Sequence, residues 1–219
     1  MKKKPHPPSL KYHTDVSSEF EPGSRNKVLR NLLHITSVRE MQREESEAYR
    51  EAERTIISTF QMDQRLYMSD VHSIHRNFLG KIYAWAGKPR SVNITKGDFT
   101  FASAYALSAT LDSFEREILT VNTPCEAKTI EEISMKIATV HAEFLLLHPY
   151  REGNGRTGRL LATLMAYQAG LPGIDFSFIG NRGREFEKYI GAVHEAVGKN
   201  YSLMTEIVLR ALRGALRRS

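Results

Sequence analysis

Hydrophobic positions in this chain recur mainly at helical spacing. From Val38 to about Thr59, Met41, Ala48 and Ile56 stand among many Glu and Arg residues, a weakly amphipathic pattern that predicts a surface helix. Val71, Ile74, Phe78 and Ile82 then follow at spacings of three and four behind Ser69, a suitable N-cap. This second helix is expected to run into Tyr83-Ala84-Trp85-Ala86-Gly87 and to end at Gly87 and Pro89. It carries His72 and His75, read as structural because no acidic or cysteine partner pattern accompanies them. Around Thr95-Lys96-Gly97-Asp98 the period changes to two: Val92, Ile94, Phe99 and Phe101 alternate with polar residues, predicting two short strands and a tight turn.

The longest apolar stripe follows. Thr129 and Glu132 form a capping box, and Ile130, Ile133, Ile137, Val140, Phe144 and Leu147 face inward on a helix that stops before Pro149. A residue preceding proline is pushed out of helical geometry, so His148 opens the next loop; His141, two turns earlier, is read as a packing residue. After Gly155 a helix runs through Leu160, Leu161, Leu164 and Met165 and stops at Gly170-Leu171-Pro172. Two more are expected: Arg184 to Val197, carrying Phe186, Tyr189, Ile190 and Val193 and ended by Gly198, and one from about Tyr201 with Leu203, Ile207, Ala211 and Leu212 inside. The fold class is therefore all-α with one β-hairpin, and a lone hairpin is stable only when it lies on the helices.

Composition narrows the function classes. Residues 1–22 are rich in Pro, Ser, Lys and His without apolar periodicity and read as a flexible arm, leaving 23–219 as one domain with its core at about 23–210. The length of 219 residues, 41% hydrophobic and 26% charged, suits one ordinary globular domain. Cys125 has no internal disulfide partner, which suits a reducing cytoplasm. Met1-Lys2-Lys3-Lys4 is followed by Pro5-His6-Pro7-Pro8 and not by an apolar run, so no signal peptide is expected, and no stretch approaches the roughly 20 apolar residues of a membrane span. The expected location is cytoplasmic; a specialised secretion system that reads other addresses is compatible with this. The net charge of +6 lies largely in Lys2 to Lys4 and in Arg210, Arg213, Arg217 and Arg218, which reads as solvated ends and argues against a nucleic-acid partner.

One segment concentrates the chemistry: His148-Pro149-Tyr150-Arg151-Glu152-Gly153-Asn154-Gly155-Arg156-Thr157-Gly158-Arg159. An imidazole can accept a proton near neutral pH, and a carboxylate can hold Mg²⁺ against phosphate oxygens. Two glycines let backbone N–H groups approach an anion, and Arg156 and Arg159 fall on one face of the helix that begins there, whose dipole also favours negative charge. These groups together suit a nucleoside triphosphate.

The segment resembles the signature of the Fic family, H-P-F-x-[D/E]-G-N-G-R-x-x-R, and departs from it only at Tyr150, where the family has Phe. The Ile82–Gly87 run with Arg90 and the hairpin also resemble that family, over roughly residues 23–210. The resemblance implies a Fic-type helical bundle with a β-hairpin flap, and a protein adenylyltransferase that moves AMP from ATP to a Ser, Thr or Tyr hydroxyl. In that reading His148 is the base and Glu152 holds Mg²⁺. Gly153, Asn154 and Gly155 supply backbone N–H groups, with the Asn154 amide also touching phosphate. Arg156 and Arg159 grip the distal phosphates. Lys96 and Gly97 at the hairpin turn approach the nucleotide, Tyr189 lines the adenine pocket, and a target protein pairs along residues 92–101. Tyr150 anchors the loop in the core, and its extra hydroxyl needs a partner.

Three alternatives stand beside this. A Doc-like branch transfers phosphoryl groups, but its pattern has alanine and lysine where this chain has Gly153 and Gly155. Another nucleotide, such as UTP, could replace ATP, and a non-catalytic binding module could use the hairpin alone. Many Fic proteins also carry an inhibitory helix resembling [S/T]-x-x-x-E-[G/N]. Here Ser17 to Glu21, Thr36 to Glu40 and Ser202 to Glu206 are each followed by Pro22, Met41 or Ile207, so none is complete. The expectation is that a small antitoxin supplies the inhibitory glutamate and that this chain is the toxin of the pair.

Overall fold

The computed structural model describes residues 19–96 and 99–218. Its elements run α1 (Val38–Thr59), α2 (Met68–Leu79), β1 (Thr95–Lys96), β2 (Phe99–Thr100), and α3 (Leu107–Phe114), which continues through a wide turn, Glu115–Leu119, into the short α4 (Thr120–Asn122). Then come α5 (Ile130–Leu147), α6 (Asn154–Gln168), α7 (Arg184–Glu195) and α8 (Ser202–Leu216). The architecture is all-α with one antiparallel hairpin, as the periodicity predicts.

Helix α5 is the centre. The Thr129 hydroxyl accepts from the Glu132 N–H and the Glu132 carboxylate accepts from the Thr129 N–H, completing the expected box. Beyond Ile137 its burial is nearly circumferential and not a stripe, because α6, α7, α8 and α3 all pack on it. Helix α6 joins two cores: Leu161 and Met165 meet the α5 and α8 side chains, while Leu160 and Leu164 meet α1 and α2. The catalytic-type loop between α5 and α6 is thus held by two buried helices.

Four expectations need correction. Helix α1 is more than a surface helix: Met41, Glu45, Ala52 and Ile56 are buried against the rest of the fold, chiefly α2. Helix α2 begins at Met68 with Tyr67 as N-cap, and Asp70, not Ser69, takes up an end group by accepting from the Tyr67 N–H at 2.8 Å. It also ends earlier, at Leu79, and the Ile82 and Tyr83 N–H groups both reach the Leu79 carbonyl in the turn that follows. In the hairpin, Thr95 pairs with Thr100 and Lys96 with Phe99, so Thr95 and Lys96, expected in the turn, are strand residues. Finally, part of the expected arm is folded: Phe20 is buried and bridges Leu29, and Glu21 accepts from the Asn31 N–H. Residues 1–18 lie outside the described residues.

Candidate active site

Helix α5 ends at His148, whose φ of 47° and ψ of 59° put it in the left-handed region while its N–H still reaches the Phe144 carbonyl. The ring Nδ1 lies 2.7 Å from the Leu145 carbonyl. A carbonyl only accepts, so Nδ1 carries the proton of the neutral ring and Nε2 is the basic nitrogen. Burial, with the Lys96 and Arg90 charges adding to it and Leu145 and Glu152 opposing, pushes the imidazole down to about 3. The ring is therefore neutral at physiological pH, as a base must be.

The turn that follows is tied down at each residue. The Tyr150 ring is fully buried, stacks on His75 at 3.7 Å between centroids, and its hydroxyl meets His72 Nδ1 at 2.8 Å. That histidine is the partner the additional hydroxyl requires. The Gly87 N–H donates to His75 Nδ1 at 2.8 Å, so His75 Nε2 bears the proton and donates to the Glu152 carbonyl at 3.0 Å. Burial lowers His75 to about 4, which keeps this tautomer uncharged. Both histidines are structural, as their lack of acidic or cysteine partners suggests.

Asn154 is corrected in part. Its Oδ1 accepts from the Tyr150 N–H and its Nδ2 donates to the Tyr150 carbonyl, both at 2.8 Å, and the residue is fully buried. The amide closes the loop on itself and does not face an anion. Helix α6 starts at Asn154, two residues before the expected start after Gly155, with Gly153 as N-cap at φ 83°. The Thr157 N–H already bonds the Gly153 carbonyl, so the N–H groups of Asn154, Gly155 and Arg156 are those without an intrahelical carbonyl. A Cβ built on Gly155 would meet nothing within 4 Å, so space opens in front of that helix end. Positive first-turn dipoles and open space fit a phosphate chain.

The charged groups gather around this end. Glu152 is buried; its Oε1 accepts from the Gly153 N–H at 2.9 Å and lies 3.3 Å from Arg156 Nη2. Among the described residues no three His, Cys, Asp or Glu side chains form a metal cage. One carboxylate beside an anion cradle fits Mg²⁺, which keeps waters and phosphate oxygens as its other ligands. Arg159 is half-buried, and its Nε is buried with no hydrogen-bond partner among the described residues, the kind of orphaned donor a phosphate would satisfy.

Tyr189 on α7 is buried, and its hydroxyl meets His141 Nε2 of α5 at 2.7 Å while His141 Nδ1 donates to the Gly158 carbonyl. Burial raises this phenol to about 12. His141 thus packs as expected, and Tyr189 is its donor. Lys96 lies on β1 with Nζ 5.6 Å from the Phe186 ring centroid, close enough for its charge to act on His148; Gly97 is outside the described residues.

Three residues were missed. Phe101, at the end of the hairpin, stacks on His148. Arg90 is buried and donates to the carbonyls of His148, Val92 and Ala102, tying both hairpin arms to the loop. Glu45 contacts Arg156 at 2.6 Å. Only Glu45 had a local signal, a charge spaced four after Met41 and seven before Ala52 on the inward stripe.

The family model described as the Fic/DOC family matches residues 65–166. The chain is 31% identical over 185 residues to protein adenylyltransferase VbhT of Bartonella schoenbuchensis, covering 84% of this chain and 37% of that protein. It is 31% identical over 148 residues to the probable protein adenylyltransferase Fic of Escherichia coli K12, covering 65% of this chain and 70% of that one. The chain thus spans little more than a third of the first relative and most of the second. Among solved structures, BepC of Bartonella tribocorum with bound AMPPNP superposes with a TM-score of 0.66 at 22% identity, covering 84% and 91% of the two chains. The Fic domain of Bep8 from Bartonella sp. 1-1C gives 0.72 at 16% identity, covering 89% and 95%; such identities speak for the fold alone. The chain belongs to the Fic/DOC family.

Proposed function

We propose that this Fic/DOC family member is a protein adenylyltransferase that transfers AMP from ATP to a hydroxyl side chain of a target protein. The observation that carries this is the tautomer of His148: its Nδ1–H is committed to Leu145, which makes Nε2 the base beside the N-terminus of α6. Nε2 takes the proton of the Ser, Thr or Tyr hydroxyl as its oxygen attacks the α-phosphorus. The bond from that phosphorus to the bridging oxygen breaks, and pyrophosphate leaves. The first-turn N–H groups of α6 and the side chains of Arg156 and Arg159 stabilise the charge that builds on the phosphates. Mg²⁺ at Glu152 supplies further neutralisation of phosphate charge when bound. Lys96 and Gly97 approach the nucleotide from the flap, and Tyr189 fixes His141 and the floor of the base pocket.

Support comes from the adenylyltransferase names of the sequence relatives and from the AMPPNP and ADP bound to two similar domains. A target segment pairs along the hairpin edge, and the reaction takes place in cytoplasm. We also retain the toxin reading, with a small antitoxin placing a glutamate at Arg159. Glu206 is a poor internal substitute, since its side chain is 68% exposed and pairs with Lys188 at 3.3 Å. The test is mass spectrometry of a cell lysate treated with the chain and ATP labelled in its adenosine. The parent adds AMP to a hydroxyl, and His148→Ala loses about 10²- to 10⁴-fold in rate while still binding ATP. Labelled protein that forms equally with both chains refutes the assignment.

A further inference from the structure

Glu45 is the charged member of the buried face of α1, and it lies outside the residues 65–166 that the family model matches. Its Oε2 is 2.6 Å from Arg156 Nη2, and its Oε1 accepts from the Tyr83 hydroxyl at 2.7 Å. The same Nη2 is 3.3 Å from Glu152 Oε1, and the Arg156 guanidinium sits 4.7 Å over the Phe78 ring. The three charged side chains are 22% exposed for Arg156, 11% for Glu45 and 10% for Glu152. A carboxylate taken this far from water costs several kcal/mol, and an apolar residue would pack α1 on α2 as Ala52 and Ile56 do. Stability alone gives no reason for a charge at this position.

We infer that Glu45 is a positioning residue for the nucleotide site, holding Arg156 over Phe78 and sharing its guanidinium between two carboxylates. Without Glu45, the carboxylate left to Arg156 among the described residues is Glu152. Arg156 and the metal would then compete for the same oxygens. With Glu45 present, Glu152 can release Arg156 to the phosphates and take up the cation. This rests on the nucleotidyl-transfer reading above. Burial alone would lower the Arg156 guanidinium, yet Glu45 and Glu152 outweigh it and hold the charge.

The test is calorimetric titration of AMPPNP into the full chain over a Mg²⁺ series, for the parent, Glu45→Gln, Arg156→Gln and the double variant. Glu45→Gln keeps the size and an acceptor for Tyr83 but removes the charge. We expect it to need about tenfold or more Mg²⁺ for half-maximal binding, the usual scale for a group that orients a metal ligand. The loss in turnover should be larger at limiting than at saturating Mg²⁺, since the effect falls on cation binding. Because Glu45 acts through Arg156, the double variant should bind no worse than Arg156→Gln alone. Parental Mg²⁺ dependence in Glu45→Gln, losses that add in the double variant, or tighter binding in Glu45→Gln would each overturn the inference. If Glu45→Gln does not fold, Glu45→Asp, which withdraws the same charge by one methylene, takes its place in the comparison. A parent that binds no Mg²⁺·AMPPNP overturns the nucleotide reading itself and this inference with it.

Discussion

The Phe101 ring lies 3.9 Å from the His148 imidazole, with their planes 25° apart, so the flap residue covers the proposed base. The hairpin is itself held on α7, where Phe99 stacks on His194 at 4.8 Å. The ring covers one face of the imidazole, and burial is the main cause of that group's lowered pKa.

Phe101→Ala should therefore raise the His148 pKa by about one unit or more as water reaches the ring. Titration of the ring resonances by NMR measures this. An unchanged titration would show that the helices, not the flap, desolvate the base.

The two glycines of the turn should separate folding from binding. Gly153 has φ 83°, and a Cβ there would stand 2.8 Å from Leu79 Cδ1, so Gly153→Ala should cost about 1–3 kcal/mol of stability. Gly155 lies in α6 with open space before it, so Gly155→Ala should leave stability unchanged or raise it by up to about 1 kcal/mol while weakening ATP binding. Chemical denaturation and calorimetry check both; equal effects of the two changes would contradict the cradle.

Arg159→Ala should weaken ATP binding by about 10- to 100-fold, the scale of a charge-assisted hydrogen bond. Arg159→Glu should be worse, since carboxylate and phosphate repel. Binding like the parent's in both variants would leave Arg159 a packing residue.

Acid should destabilise the fold through its buried imidazoles. Burial lowers His75 and His141 to about 4 and His148 to about 3, each opposed by a backbone hydrogen bond. The unfolded chain takes up protons below about pH 6.5 while the folded chain does not, so the histidine contribution is fully present above that pH. It is lost as pH falls towards 4, at up to about 1.4 kcal/mol per pH unit for each ring. Denaturation between pH 7.5 and 5 measures the slope, and His141→Gln should make it shallower by one proton. A slope unaltered by that change would mean that other groups carry the acid sensitivity.

What could be read from the sequence was local. The Thr129–Glu132 box, the stripe from Ile130 to Leu147, the proline that breaks α5 and the glycine turn before α6 each depend on residues within a few positions of one another. The same locality made the motif legible, since His148, Glu152, Arg156 and Arg159 lie on a single turn and the helix it opens. Boundaries set by competition, such as the early end of α2 at Leu79, were not legible because cap residues stood at more than one position.

Tertiary packing decided the rest. Glu45 meets Arg156 across 111 positions, Tyr150 finds His72 across 78, and Arg90 reaches the His148 carbonyl across 58. None of these pairs has a spacing that periodicity could detect. Each exists because burial brings particular faces together and a polar group taken out of water must then find whichever partner lies there. The residue types of the site were therefore written in one local segment, while the side chains that orient them were chosen by which helices came to pack around it.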